Sequence, residues 1–135
     1  MSLKVLLVDD DKITVFLQKI IILDSKFASE IETFTNGTDT LGYLNSQYKN
    51  GDDFFIFLDI HMPGMNGLEL LEAINKEPYA DQVFVAMASS YLVTIDSTEP
   101  LNYKQIVYSF EKPVTIDVCK EIMQLPLIKK YFDPA

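Results

Sequence analysis

Strand-like and helix-like patterns alternate along the chain. Lys4 to Val8 is a short aliphatic run that predicts a strand and ends at an acidic cluster. From Lys12 to Leu23, apolar residues fall at 13, 16, 17, 20, 21 and 23, close to helical spacing. Glu30 to Phe34 alternates and predicts a second strand. Asn36-Gly37 is a turn signal, and Thr38 or Asp39 is placed to cap a helix reaching Tyr48. After a loop from Asn50 to Asp53, Phe54 to Leu58 is apolar at every position, as in a strand covered on both faces.

His61 to Gly67 is a loop rich in Pro and Gly. Leu68 to Asn75 carries apolar residues at 68, 70, 71 and 74, a helix pattern. Val83 to Ala88 is a further apolar run and Ile106 to Phe110 a weaker strand. Leu92 to Tyr103 fits neither pattern cleanly, because Pro100 interrupts any helix there. Val114 to Leu125 predicts a last helix, with Pro126 ending it. Such alternation implies an α/β domain, a doubly wound parallel sheet of five strands with helices on both faces.

Composition narrows the picture. The 135 residues suit one domain, spanning 1–135 with a core over about 3–125 and a short tail. At 48% hydrophobic the chain can bury a sizeable core, and it contains no repeat, low-complexity segment or linker-like stretch. No apolar run approaches the ~20 residues of a membrane span, and the N-terminus lacks a signal-peptide pattern. These features lead us to expect a cytoplasmic protein without membrane insertion. Cys119, the single cysteine, excludes an internal disulfide or a cysteine-based zinc site, and is expected to be a buried structural thiol. The net charge of −9 argues against a nucleic-acid partner bound through its phosphates.

In open parallel sheets, ligands bind beyond the carboxyl ends of the strands. Those ends carry chemistry here. Asp9-Asp10-Asp11 follows the first strand, Asp59 the third, Ala88-Ser89-Ser90 the fourth and Lys112-Pro113 the fifth. Taken singly, an Asp after a strand is a turn former or a helix cap, and Asp11 is expected to cap the first helix. Taken together, the groups place several carboxylates, a hydroxyl and an ammonium at one edge. Crowded carboxylates need a cation or protonation near neutral pH. Mg²⁺ suits them, as a hard ion that takes oxygen ligands. A carboxylate in such a site can attack phosphorus to give an acyl phosphate, with the metal and lysine countering the developing charge.

These residues closely resemble the receiver domain of two-component response regulators. The motifs are Val8-Asp9-Asp10-Asp11, the segment Phe57-Leu58-Asp59-Ile60-His61-Met62-Pro63-Gly64-Met65-Asn66-Gly67, then Ser89, and Lys112-Pro113. Asp59 follows Asp9 by 50 residues, and Ser89 and Lys112 follow Asp59 by 30 and 53. The resemblance implies a flavodoxin-like (CheY-like) fold of strand order 2-1-3-4-5. It implies that Asp59 is the phosphoacceptor, and that Asp9, Asp10, Asp59 and the backbone carbonyl of His61 hold Mg²⁺. Lys112 would pair with the phosphoryl group, and its bond to Pro113 would be cis. The phosphoryl group would come from a sensor histidine kinase or a histidine phosphotransfer protein, and would be released by water. Such a domain catalyses its own modification and is not a turnover enzyme.

Two positions depart from the family pattern. Counting from Asp59 selects Ser89 as the hydroxyl residue, whereas aligning one step earlier puts Ala88 there. Three residues before Lys112, where an aromatic is common, stands Ser109, flanked by Tyr108 and Phe110. His61, the only histidine, lies beside the site, where it could modulate how water reaches the phosphoryl group. The stretch from Pro126 to Ala135 leaves no room for an output domain, so output is expected through a downstream protein target or onward phosphoryl relay. Two rival readings are a receiver-like binding module that is not phosphorylated and a phosphohydrolase with an aspartyl nucleophile. The latter needs an acid/base carboxylate two residues past the nucleophile, where this chain has His61.

Overall fold

The computed structural model describes residues 2–62, 64–89 and 103–132, without the side chain of Ser89. Most of the segment from Leu92 to Tyr103 therefore lies outside the described residues, as does Pro63. The elements are β1 (Leu3–Val8), α1 (Lys12–Asp24), β2 (Ile31–Phe34), α2 (Gly37–Gln47), β3 (Asp53–Asp59), α3 (Gly67–Asn75), β4 (Val83–Ser89), β5 (Ile106–Glu111), α4 (Ile116–Met123) and α5 (Pro126–Lys129). All strand pairs are parallel, in the order β2-β1-β3-β4-β5. The chain leaves β1 for β2 on one side and then crosses to β3 on the other. The carboxyl ends of β1 and β3 thus form the switch point of the sheet.

β3 explains why the sheet needs two covers. Phe54 through Leu58 are all essentially inaccessible to solvent. Their side chains alternate between faces, as a strand requires. Phe54, Ile56 and Leu58 join Leu6 and Val8 under Leu44 of α2 and Leu70, Leu71 and Ile74 of α3. Phe55 and Phe57 join Val5 and Leu7 under Ile22 of α1, Cys119 and Ile122 of α4 and Ile128 of α5. Each such side chain contributes about 1.5–3 kcal/mol on burial. Cys119 is buried, and burial pushes its thiol pKa up. No helix among the described residues is long and apolar enough to cross a membrane.

Three local features differ from the sequence pattern. Asn36, rather than Thr38 or Asp39, caps α2: its side chain accepts from the Asp39 backbone at 2.7 Å and donates to the Asp39 carboxylate at 2.9 Å. Pro126 does not simply end the last helix. α4 stops at Met123, and Pro126 starts α5 in the first turn, where its missing N–H costs nothing. α1 turns its apolar stripe outward: Ile13 and Phe16 are 73% and 63% exposed, and Leu17 and Ile20 are also exposed. The buried residues of α1 are Gln18 and Ile22, with Val15 and Ile21 packed partly against the core.

Candidate functional site

The switch point gathers the acidic residues. Asp9 follows β1 and is fully buried, and Asp59 ends β3 at 3% exposure. The Asp9 backbone N–H donates to the carbonyl of Phe34 at 3.1 Å, which continues the β1–β2 ladder by one residue. Opposite, Ile60 N–H donates to the Ala88 carbonyl at 3.0 Å and fixes the chain beyond β3 against β4. Register sets Asp59 beside Ala88, and Ser89 beside Glu111 one step further along.

Each buried carboxylate is held at both oxygens. Asp9 Oδ1 accepts from the Asp11 backbone at 3.0 Å, and its Oδ2 accepts from Lys112 Nζ at 3.0 Å. Asp59 Oδ1 accepts from the His61 backbone at 3.1 Å, and its Oδ2 accepts from Lys112 Nζ at 3.2 Å. Lys112 follows β5, and the peptide bond to Pro113 is cis. Asp10 is exposed at the rim. A carboxylate oxygen from each of Asp9, Asp10 and Asp59 can lie within 4.8 Å of the others. Asp11 is spent elsewhere: its carboxylate accepts from the backbones of Ile13 and Thr14 and caps α1.

The electrostatics are unbalanced. Among the described residues, the three carboxylates of the cluster are met by one ammonium, that of Lys112, so negative charge is in excess there. Burial, and then the neighbouring Asp9 charge, raise the Asp59 pKa above the usual carboxylate value despite Lys112. Burial works against the Lys112 ammonium, but the hydrogen bond to Asp9 and the charges of Asp59 and Asp9 outweigh it, so its pKa is raised. A carboxylate that is costly to ionise beside another carboxylate marks a place for a cation. The donors are all hard oxygens, which fits a small divalent ion.

The loop after β3 closes in on Asp59 through a glycine. A Cβ built on Gly67 would lie 2.7 Å from the Asp59 carbonyl oxygen and 2.8 Å from Ile60 Cα. The Gly67 N–H meanwhile donates to the Ile60 carbonyl at 2.9 Å. Asn66 and Glu69 form a reciprocal capping box that fixes the start of α3 beside the site.

The response regulator receiver domain model matches residues 5–124. The chain belongs to the response regulator receiver domain family. The receiver is similar over 97% of its length to a two-component response regulator of Cytophaga hutchinsonii, with 30% identity, a TM-score of 0.81 and 97% of that chain covered. A response regulator receiver protein of Dyadobacter fermentans aligns over 97% of this chain and 98% of its own, at 26% identity and a TM-score of 0.79. The transcriptional regulatory protein CpxR homolog of Haemophilus influenzae is 39% identical over 74 residues, which are 54% of this chain and 29% of that protein. This receiver spans less than half the length of the curated relatives it matches.

Of the residues singled out in the sequence, Asp9, Asp10, Asp59 and Lys112 come together. The His61 backbone joins them, while its side chain is exposed. The Ser89 side chain lies outside the described residues, and Ala88 is buried in the core. Ser109 is exposed on β5, and its neighbour Tyr108 donates to Glu121 of α4, which raises the tyrosine pKa to about 12. Sequence patterns missed Gln18, and gave Gly67 as part of the motif without the close approach to Asp59 that requires a glycine. Gln18 had a signal, a polar side chain one turn before Ile22 within an apolar run.

Proposed function

We propose that this receiver accepts a phosphoryl group on Asp59 from a phosphohistidine and returns it to water. The observation that carries the reading is the buried Asp59 carboxylate, paired to Lys112 and crowded by Asp9. In transfer, an Asp59 oxygen forms a bond to phosphorus as the histidine N–P bond breaks, and the imidazole leaves with the electron pair and takes up a proton. In hydrolysis, a water oxygen bonds to phosphorus, the Asp59 O–P bond breaks, the carboxylate is restored and inorganic phosphate departs. Lys112, already donating to Asp59 Oδ2, is placed to donate to a phosphoryl oxygen. Ser89, at the end of β4, is the candidate hydroxyl donor.

Asp9, Asp10, Asp59 and the His61 carbonyl are the residues that would hold Mg²⁺. Bound there, the ion supplies positive charge against the equatorial phosphoryl oxygens. The receiver modifies itself and is not a turnover enzyme. Incubation with Mg²⁺ and acetyl phosphate, followed by intact mass, tests the reading. A phosphate-sized gain is expected, and its absence defeats it.

The partner that carries the phosphohistidine is a sensor histidine kinase or a histidine phosphotransfer protein. It docks on the outward stripe of α1: Ile13, Phe16, Leu17 and Ile20. The stripe starts beside Asp11, whose backbone bonds Asp9, so it runs from the mouth of the site. Lys12 and Lys19 flank it, and no acidic residue lies between Asp11 and Asp24, in a chain of net charge −9. A partner with an apolar face and an acidic rim is therefore complementary. One face of a 13-residue helix falls short of the ~800 Å² per partner of a standard stable interface, which favours a transient contact over a stable dimer. Output then runs through a downstream protein target, in a cytoplasmic setting.

A further inference from the structure

We propose that Gln18 is a positioning residue for Lys112, holding the backbone that carries the ammonium to Asp59. This rests on the phosphoacceptor reading above and adds a residue to it. Gln18 lies on the inner face of α1 and is only 2% exposed. A buried side-chain amide is costly unless it is bonded. Its Oε1 accepts from the Val114 backbone N–H at 2.9 Å, across 96 residues of chain.

The place of that bond gives it a role. Pro113 has no N–H, so Val114 provides the first backbone donor after Lys112. Upstream, β5 is held to β4 as far as Glu111, opposite Ser89. Downstream, Val114 is fully buried, in the same core cluster as Phe57, Ala88 and Phe110. Lys112 is thus slung between the end of the sheet and the Val114–Gln18 anchor. Its Nζ must satisfy Asp9 at 3.0 Å and Asp59 at 3.2 Å together. A lysine side chain is long and rotamer-rich, so this double contact depends on where its backbone is held. A shift of about 1 Å is enough to lose one of the two contacts, and misplacements of that size cost up to about 100-fold in rate.

The test uses Gln18→Met, which keeps the size and removes the acceptor, and Gln18→Glu, which keeps an acceptor at the same reach. Two readouts are taken on the full chain. The first is the NMR signal of the Lys112 ε-carbon in ¹³C-lysine-labelled protein without metal, assigned by its loss in Lys112→Met. The second is the phosphorylation rate with Mg²⁺ and acetyl phosphate. In Gln18→Met the Lys112 signal is expected to move towards those of the exposed lysines. The maximal rate is expected to fall about tenfold at an unchanged half-saturating donor concentration. Gln18→Glu is expected to restore both.

An unmoved Lys112 signal in Gln18→Met overturns the proposal, and so does an unchanged rate. If the parent protein gains no phosphate at all, the phosphoacceptor reading fails, while the NMR arm still decides whether Gln18 positions Lys112. Should Gln18→Met not fold, Gln18→Asn, which withdraws the amide by one methylene, carries the same comparison.

Discussion

Lys112 Nζ donates to Asp59 Oδ2 at 3.2 Å. The same ammonium donates to Asp9, so one cation holds two buried carboxylates. Removing one member of a buried ion pair leaves uncompensated charge, which costs roughly 3 kcal/mol. Lys112→Met is therefore expected to destabilise the metal-free protein by about that amount at pH 7, measured by urea unfolding in a chelator. Added Mg²⁺ is expected to recover part of the loss by compensating the same carboxylates. A stability equal to that of the parent in chelator would contradict this picture.

Asp59 itself opposes folding when ionised without metal. Its pKa in the folded state is raised, first by burial and then by Asp9. A raised carboxylate pKa means that the unfolded state holds the charge more easily. The stability cost is absent below the unfolded pKa, about 3.9, and is fully present once pH has passed the folded value. Asp59→Asn is expected to be more stable than the parent at pH 7 in chelator, by on the order of 1 kcal/mol. The difference should vanish below about pH 4, where the parent is protonated too. Thermal melts across pH check both limbs.

Gly67 is fixed by space rather than by backbone angle. The atoms that a Cβ would meet, at 2.7 and 2.8 Å, belong to the backbone of Asp59 and Ile60, which cannot rotate away. Gly67→Ala is expected to cost about 1–3 kcal/mol and to slow acceptance of phosphoryl by shifting Asp59. Gly42, where an added Cβ meets nothing within 4 Å, serves as the control. Gly42→Ala should be neutral or mildly stabilising in the same unfolding assay, since alanine is the better helix former.

Docking on the α1 stripe, as proposed, is testable apart from the chemistry. Phe16→Glu puts a charge on an exposed site outside the acidic cluster. It is expected to leave phosphorylation by acetyl phosphate unchanged and to slow transfer from a phosphohistidine protein at least about tenfold, since central aromatic contacts are worth 2 kcal/mol or more. Equal slowing with both donors would place the defect in the site itself.

Much of this was legible in the sequence, for physical reasons. Phe54 to Leu58, apolar at every position and too short for an ordinary helix, fits a doubly covered strand, and that strand puts Asp59 at its carboxyl end. Asp9 and Lys112 were legible in the same way, as polar groups that end apolar runs. Other features depend on which way an element turns. The spacing at 13, 16, 17 and 20 gives a helix but not its orientation, and the structure turns that stripe to solvent. Gln18 reads as a weak point in an apolar run until Val114, 96 residues on, is seen beside it. Asn36 outcompeted Thr38 and Asp39 as a cap because the helix begins at Gly37. Pro126 can stop one helix or start another, and short-range pattern does not distinguish the two.

The most direct measurement locates the phosphoryl group. After incubation with Mg²⁺ and acetyl phosphate, borohydride reduces an aspartyl phosphate to homoserine, and peptide mass spectrometry reads its position. Homoserine at residue 59, absent without Mg²⁺ and absent in Asp59→Asn, is the expected result. Homoserine at Asp9 or Asp10 instead, or none at all, contradicts Asp59 as the acceptor.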